Sequence, residues 1–421
     1  MNIVQHTELD KIKSEAQTAI KQINLPTRKE EDWKYTRISA LKPEKYVTAE
    51  PHSISKETVE ANSIKGMDSF RLVFVDGVFS AEYSNYPKDK LVVLPFSEAI
   101  KNDAYHRILA DKFNSITEKE DYFTALNTAH TNEGTFIYVP KNTVEEKPIE
   151  LLYLNTEQNR EAIQTLRNLF IIEPHSQIRV TEKIHTLSDL EFLTNATTEI
   201  FVGKNAHFSL YKIQDDVATA NLIDNTFIEQ SQNSQSFIHT FSFGGKVIRN
   251  RLSFDHKGEN INSTLKGISI IGDGQEVGNH TLVQHNQPNC ESHELYRGIF
   301  DGNAHGIFNG KIKVHEIAQK TNAFQQNNNV LLSDKSVIDT KPQLEIFADD
   351  VKCSHGCTVG QLDDDALFYM KQRGIHEKEA KALLMFAFCS DVMETVTIPE
   401  LKNKINTIIA EKLDVNIDFD F

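Results

Sequence analysis

From about Thr135 to Gln361 the chain is written almost entirely in short apolar runs broken by Gly, Asn and Asp, among them Leu169-Phe-Ile-Ile172, Ile200-Phe-Val202, His207-Phe-Ser-Leu-Tyr211 and Gly267-Ile-Ser-Ile-Ile271. β-branched and aromatic residues between turn-forming residues read as strands. Long amphipathic helical patterns are nearly absent from this stretch. Without helices to cover them, so many strands must bury their apolar faces against one another, as a sandwich, a large barrel or a solenoid. No clean short repeat is visible, which by periodicity alone weighs against the solenoid.

The flanks are different. Near the start, Ile12, Ala16, Ile20 and Ile23 recur at helical spacing, with Thr7 as a plausible cap and Pro26 ending the pattern. Trp33, the only Trp, is expected in a second helical piece, pinning this region to the core. Arg71-Leu-Val-Phe-Val-Asp-Gly-Val-Phe-Ser80 reads as a β-hairpin turning at Asp76-Gly77, followed by helical and irregular sequence to about residue 133. Past the strands, Asp363 or Asp364 caps a helix through Arg373, with Gly374 as its left-handed stop. A second helix spans about Glu377 to Val392, and Pro399 opens a third with Leu401, Ile405, Ile408 and Ile409 on one face. These signals divide the chain into 1–134, mostly helical; 135–362, β; and 363–421, helical.

With 421 residues, 39% hydrophobic and 25% charged, the chain can bury a large core. Its net charge of −15 argues against general binding to nucleic acid or an anionic membrane. Charges interrupt the first eleven residues where an export signal needs an apolar segment, and no apolar run reaches spanning length, so the expected location is cytoplasmic. Four cysteines, Cys290, Cys353, Cys357 and Cys389, are too few and too uneven for a disulfide framework. There is no Gly-x4-Gly-Lys-Ser/Thr loop for a nucleotide, and no Gly-x-Ser-x-Gly, His-Glu-x2-His or Gly-x-Gly-x2-Gly motif, so no conventional enzyme class finds support. His280, His285, His293, His305 and His315 are spread over the later strands, and each alone reads as a structural or surface imidazole.

The chemistry concentrates in Phe347-Ala-Asp-Asp-Val-Lys-Cys-Ser-His-Gly-Cys-Thr-Val-Gly-Gln-Leu-Asp363, where Cys353, His355 and Cys357 alternate. On a strand all three share one face, with neighbours roughly 6.6 Å apart, so one metal can bridge two of them but hardly all three. A closed zinc site needs four converging ligands. This is an open, incomplete set of soft donors, suited to iron, copper or an iron-sulfur cluster completed by a second chain. The alternative is a strand whose small thiols fill core beside Val351 and Val359.

Ala348-Asp-Asp-Val-Lys-Cys-Ser-His-Gly356 resembles the hallmark of the SufB/SufD family of the SUF iron-sulfur cluster assembly machinery, in the form carried by its SufD branch. Leu25-Pro-Thr-Arg-Lys-Glu-Glu-Asp-Trp-Lys-Tyr-Thr36, Ala318-Gln-Lys-Thr-Asn-Ala-Phe-Gln-Gln-Asn327 with Leu331-Leu-Ser333, Pro342-Gln-Leu-Glu-Ile346 and Leu367-Phe-Tyr-Met-Lys-Gln-Arg-Gly-Ile375 are similar to further family segments in the same order. Cys357 departs from the pattern, where a small residue such as Ala is expected.

The resemblance implies a mainly β protein whose core is a right-handed parallel β-helix between helical flanks, and Gln325-Gln-Asn-Asn-Asn329 becomes a polar ladder or else a loop. It implies a non-catalytic scaffold that pairs with a SufB paralogue, binds the SufC ATPase, and supports cluster assembly and iron acquisition at the SufB/SufD junction, with a transient cluster there and no nucleotide on this chain. Cys353 and His355 align with the family's junction residues, and Cys357 shares their face. Leu383-Leu-Met-Phe-Ala-Phe-Cys389 is apolar all round, so something must cover its second side. By resemblance this is SufC, with Leu367, Phe368, Leu384, Phe386 and Phe388 as docking residues. A homodimer in isolation is compatible with the same surfaces. The nearest rival readings are the SufB paralogue itself and, further off, a secreted carbohydrate-active β-helix.

Overall fold

The computed structural model describes residues 6–87, 90–131, 133–156, 158 and 161–415. The β region is a parallel β-helix. Its strands alternate between two sheets, each strand pairing in parallel with the one two positions on, so every coil adds one rung to each sheet. The later coils are β3 (Val247–His256), β4 (Asn262–Ile271), β5 (Glu276–His285), β6 (Glu291–Phe300), β7 (His305–Val314), β8 (Asn322–Leu331), β9 (Val337–Ile346) and β10 (Lys352–Gly360), preceded near the start of the chain by the hairpin β1 (Phe70–Val75) and β2 (Val78–Phe79). Odd-numbered strands from β3 belong to the first sheet and even-numbered ones from β4 to the second.

The coil length explains why no repeat is visible in the sequence. Asn221 pairs with Val247, a step of 26 residues; Val247 pairs with Glu276, a step of 29; His305 pairs with Val337, a step of 32. Stacking conserves register while the turns absorb insertions, so periodicity exists in space but drifts along the chain.

The hairpin forms as its sequence dictates, with Asp76 and Gly77 both at positive φ (51° and 75°). It is not an appendage. β1 pairs in parallel with Ile149–Asn155 and so starts the second sheet from within the N-terminal region. The first helix, α1 (His6–Ala19), contains Thr7 rather than being capped by it, and after Ala19 only isolated turns continue, Ile20 N to Ala16 O (2.9 Å) and Ile23 N to Ala19 O (3.0 Å). Trp33 lies in a short 3₁₀ turn, buried, 5.3 Å from the Phe123 ring and with the Arg249 guanidinium 3.9 Å above it.

Helices cover the outside of both sheets. α2 (Asp103–Lys112) and α3 (Tyr122–Ala129) bury Leu109, Phe123 and Leu126 with Phe136, Leu193 and Ile223 of the first sheet. At the other end of the chain, Asp363 Oδ1 accepts from the amides of Asp365 and Ala366 to start α4 (Asp364–Gln372), and Gly374 follows at φ +87°. α5 (Glu377–Met393) and α6 (Pro399–Lys412) lay Met385, Cys389, Val392, Leu401, Ile405 and Ile409 on Tyr211, Phe241 and Ile268 of the second sheet.

Inside the coils the packing is apolar at both walls but polar along a median line. Lys212 Nζ sits 2.6 Å from Asp224 and 3.3 Å from Glu182, all buried, and the line continues through Gln214, Asn250 (2.6 Å) and Asn279 (3.0 Å). Such groups persist in a core only when mutually satisfied.

Candidate functional site

β9 and β10 end their sheets, so the last coil has no coil beyond it among the described residues. On β8, Ala323, Gln325, Asn327 and Asn329 are buried and point into the solenoid, whereas Phe324 and Gln326 point out. β10 lies in register above it, with Ala323 opposite Cys353, Gln325 opposite His355 and Asn327 opposite Cys357. Cys353, His355 and Cys357 therefore face the interior side of the final coil, which lies open: His355, Cys357 and Val359 are exposed and Cys353 half-buried. The alternation expected from the sequence is realised, and the coil's position at the end of the solenoid is what leaves the donors accessible. Gln325-Gln-Asn-Asn-Asn329 is a strand rather than a loop, with Asn329 Nδ2 donating to Asn327 Oδ1 (2.8 Å) and to Thr358 O (3.2 Å).

The three donors differ. Cys353 packs with Leu344, Ala348 and Val351 beside Ile312 and Val314, and this burial pushes its thiol pKa up. Cys357 is exposed, on the same face and with no such covering. His355 borders both the open end and a groove of about 1050 Å³ along the outer face of the second sheet, where Tyr211, Lys266, His293 and Phe324 also lie. Beneath His355 the same column runs inward through Gln325 to Glu294, a fully buried carboxyl. Burial raises its pKa to about 7 against a 2.6 Å hydrogen bond from Thr281 Oγ1. Sequence reasoning missed Glu294, whose only signal is an acid at an inward-facing strand position.

The rim of the open coil carries exposed apolar side chains among polar ones. Val337 (49%), Ile346 (40%), Phe347 (60%) and Val359 (48%) are exposed, and the outer edges of β9 and β10 offer backbone groups to another strand.

Of the residues singled out for docking on the C-terminal helices, Phe368 is exposed (64%) and Leu367 and Leu384 are half-buried. Phe386 and Phe388 pack partly against the core shared by α5, α6 and the second sheet, with the Arg297 guanidinium 4.9 Å over Phe388. Tyr369 (60%) and Leu383 (39%) are also exposed and were not among the docking residues read from the sequence. The second side of α5 is thus covered in part by this chain itself. Among the histidines, His305 bridges Glu276 and Asp339 (3.1 and 2.8 Å), His293 stacks on Phe324, and His285 meets His256.

Residues 2–151 match the family described as the SufBD protein N-terminal region, and residues 153–388 match the SUF system FeS cluster assembly, SufBD core domain. The chain belongs to the SufBD family. A SufBD family protein from Synechocystis is 29% identical to it over 92% of this chain and 87% of its own length. The iron-sulfur cluster assembly protein SufD of Escherichia coli is 30% identical over 92% and 89%, and that of Bacillus subtilis 28% over 77% and 75%. This SufBD chain is accordingly an iron-sulfur cluster assembly protein of the SUF system. The core match covers β3 to β10 and most of α5, so the open coil with its three donors lies within the family core. Among the described residues no helix is long and apolar enough to cross a membrane.

Proposed function

We propose that this chain is a non-catalytic scaffold subunit of the SUF machinery, pairing through its open last coil with a SufB paralogue and supporting iron acquisition and cluster assembly at their junction. The observation that carries this reading is the coincidence, on one open coil, of unpaired strand edges, exposed apolar side chains and three soft donors spaced too far apart along a strand to close a site alone. A solenoid end with free edges is completed by another strand or cap. Pairing end to end would extend both sheets and bring a second chain's donors to His355, Cys353 and Cys357. Imidazole and thiolate both ligate cluster iron, and the cluster is cargo here, held until it is passed on.

Cys357, exposed and at the rim, is the thiol best placed to bind iron first or to take sulfane sulfur from a donor persulfide, whose own thiolate leaves; Cys353 needs its thiol deprotonated against the cost of burial. The C-terminal helices α4 to α6 are the docking element for the SufC ATPase, through Phe368, Leu367 and Leu384 together with Tyr369 and Leu383. ATP binding belongs to that partner.

The test is co-expression with candidate SufB and SufC chains, isolation of the complex, and measurement of iron and acid-labile sulfide per complex. The three chains are expected to co-purify with both. His355→Ala should keep the subunit stoichiometry and strongly reduce iron and sulfide. Recovery of this chain alone refutes the pairing, and full loading of an intact His355→Ala complex removes His355 from the site.

A further inference from the structure

In a corner of the solenoid interior separate from the open end, three soft donors converge. His256 closes β3 and His285 closes β5, register partners on adjacent coils, and Cys290 lies in the turn from β5 to β6. One ligand atom from each lies within 4.8 Å of the others, and all three residues are fully buried. The two rings are nearly perpendicular (86°), with Nδ1 facing Nδ1 at 3.2 Å.

The far side of each ring is held by a hydroxyl. His256 Nε2 is 2.7 Å from Ser263 Oγ and His285 Nε2 is 2.9 Å from Ser292 Oγ, the two serines being register partners on β4 and β6. Ser263 Oγ donates its own proton to Gln230 Oε1 at 2.6 Å, so it accepts from His256 Nε2–H. That fixes the His256 tautomer and leaves its Nδ1 as a bare lone pair aimed into the corner. Without a cation, His285 meets this lone pair by carrying its proton on Nδ1. With His285 in the other tautomer, its Nε2–H donates to Ser292 and both Nδ1 lone pairs are free for a cation in the corner that Cys290 shares. Metal-ligating histidines hold their second ring N–H on an acceptor, most often a carboxylate, carbonyl or water, and here a serine hydroxyl takes that place.

We propose that His256, His285 and Cys290 form a buried, low-coordinate binding site for copper(I). Two neutral imidazoles and one thiolate carry a charge of −1, which a monovalent soft cation neutralises. Zinc(II) would leave a net positive charge buried and would lack its fourth ligand. A thiolate ligand favours copper(I) further. Binding breaks the Cys290 S–H bond, whose proton points to Gly258 O at 3.3 Å, and forms a Cu–S bond with release of one proton. His285 moves its proton from Nδ1 to Nε2, and no oxidation state changes. The site shares no residue with the assembly site, so it stands or falls independently of the function proposed above.

The test uses the full chain carrying Cys353→Ala and Cys357→Ala, so that the thiols of the open coil do not compete. It is refolded anaerobically from urea with copper(I) supplied on a chromogenic chelator, which removes ion access as an obstacle. Stoichiometric withdrawal of copper(I) is expected, with an X-ray absorption edge showing nitrogen and sulfur ligands. Adding Cys290→Ala should weaken binding more than about 100-fold, and Ser292→Ala by roughly 10–100-fold with an unchanged circular dichroism spectrum. Failure to withdraw copper, undiminished affinity in a folded Cys290→Ala chain, an unaffected Ser292→Ala chain, or tighter retention of zinc(II) overturns the proposal.

Discussion

Glu294→Gln should stabilise this protein, and by an amount that grows with pH. The Glu294 carboxyl is fully buried on β6, and its pKa rises from an ordinary value near 4.5 to about 7, chiefly through desolvation. An acid whose folded pKa is raised binds more protons folded than unfolded between those two values. The stability associated with the neutral form is therefore fully present below pH 4.5 and is lost as pH rises through 7. At 1.36 kcal/mol per unit, the loss is about 3 kcal/mol by pH 8. Gln has the same shape, stays neutral, and still accepts the Thr281 hydroxyl proton, which lies 2.6 Å away in the parent. Urea unfolding of parent and variant at a series of pH values isolates the effect, because every other titrating group cancels in the difference. The two proteins should differ little at pH 4.5, and the variant should gain about 3 kcal/mol by pH 8. A difference independent of pH, or a variant less stable at pH 8, would refute the argument that Glu294 is a carboxyl ionised against its surroundings.

The thiols should alkylate in a fixed order, read by mass spectrometry at pH 8: Cys357 first, Cys353 more slowly, and Cys290 and Cys389 only on unfolding, since burial pushes the last two up to about 11 and about 12. Rapid labelling of Cys389 in the folded chain would contradict its burial between α5 and the second sheet. On the C-terminal helices, Phe368→Asp should leave the urea midpoint nearly unchanged and weaken capture of the ATPase in a pull-down. Val392→Asp should instead cost several kcal/mol of stability by burying an unpaired charge. Unchanged capture by the folded Phe368→Asp chain would move the docking surface elsewhere.

Local sequence determined a good deal of this protein. Asp76-Gly77 specifies its turn, Asp363 and Gly374 bound a helix, Leu401, Ile405, Ile408 and Ile409 mark a buried face, and the alternation of Cys353, His355 and Cys357 places them on one side of a strand. Each is a short-range effect of backbone geometry or side-chain period, and each survives in the fold. The choice of a solenoid was legible only through motif resemblance, because coil steps of 26, 29 and 32 residues hide the repeat from any fixed period.

Tertiary structure alone decided the rest. That β10 is the last rung, and so exposes its donors rather than burying them like Ser292 and Ala323 beneath Cys353, depends on what stacks above it and on nothing in the strand itself. Phe386 and Phe368 look alike in sequence, yet one turns toward the second sheet and the other toward solvent. His256, His285 and Cys290 meet because parallel stacking superposes residues a whole coil apart, a proximity that no local pattern encodes.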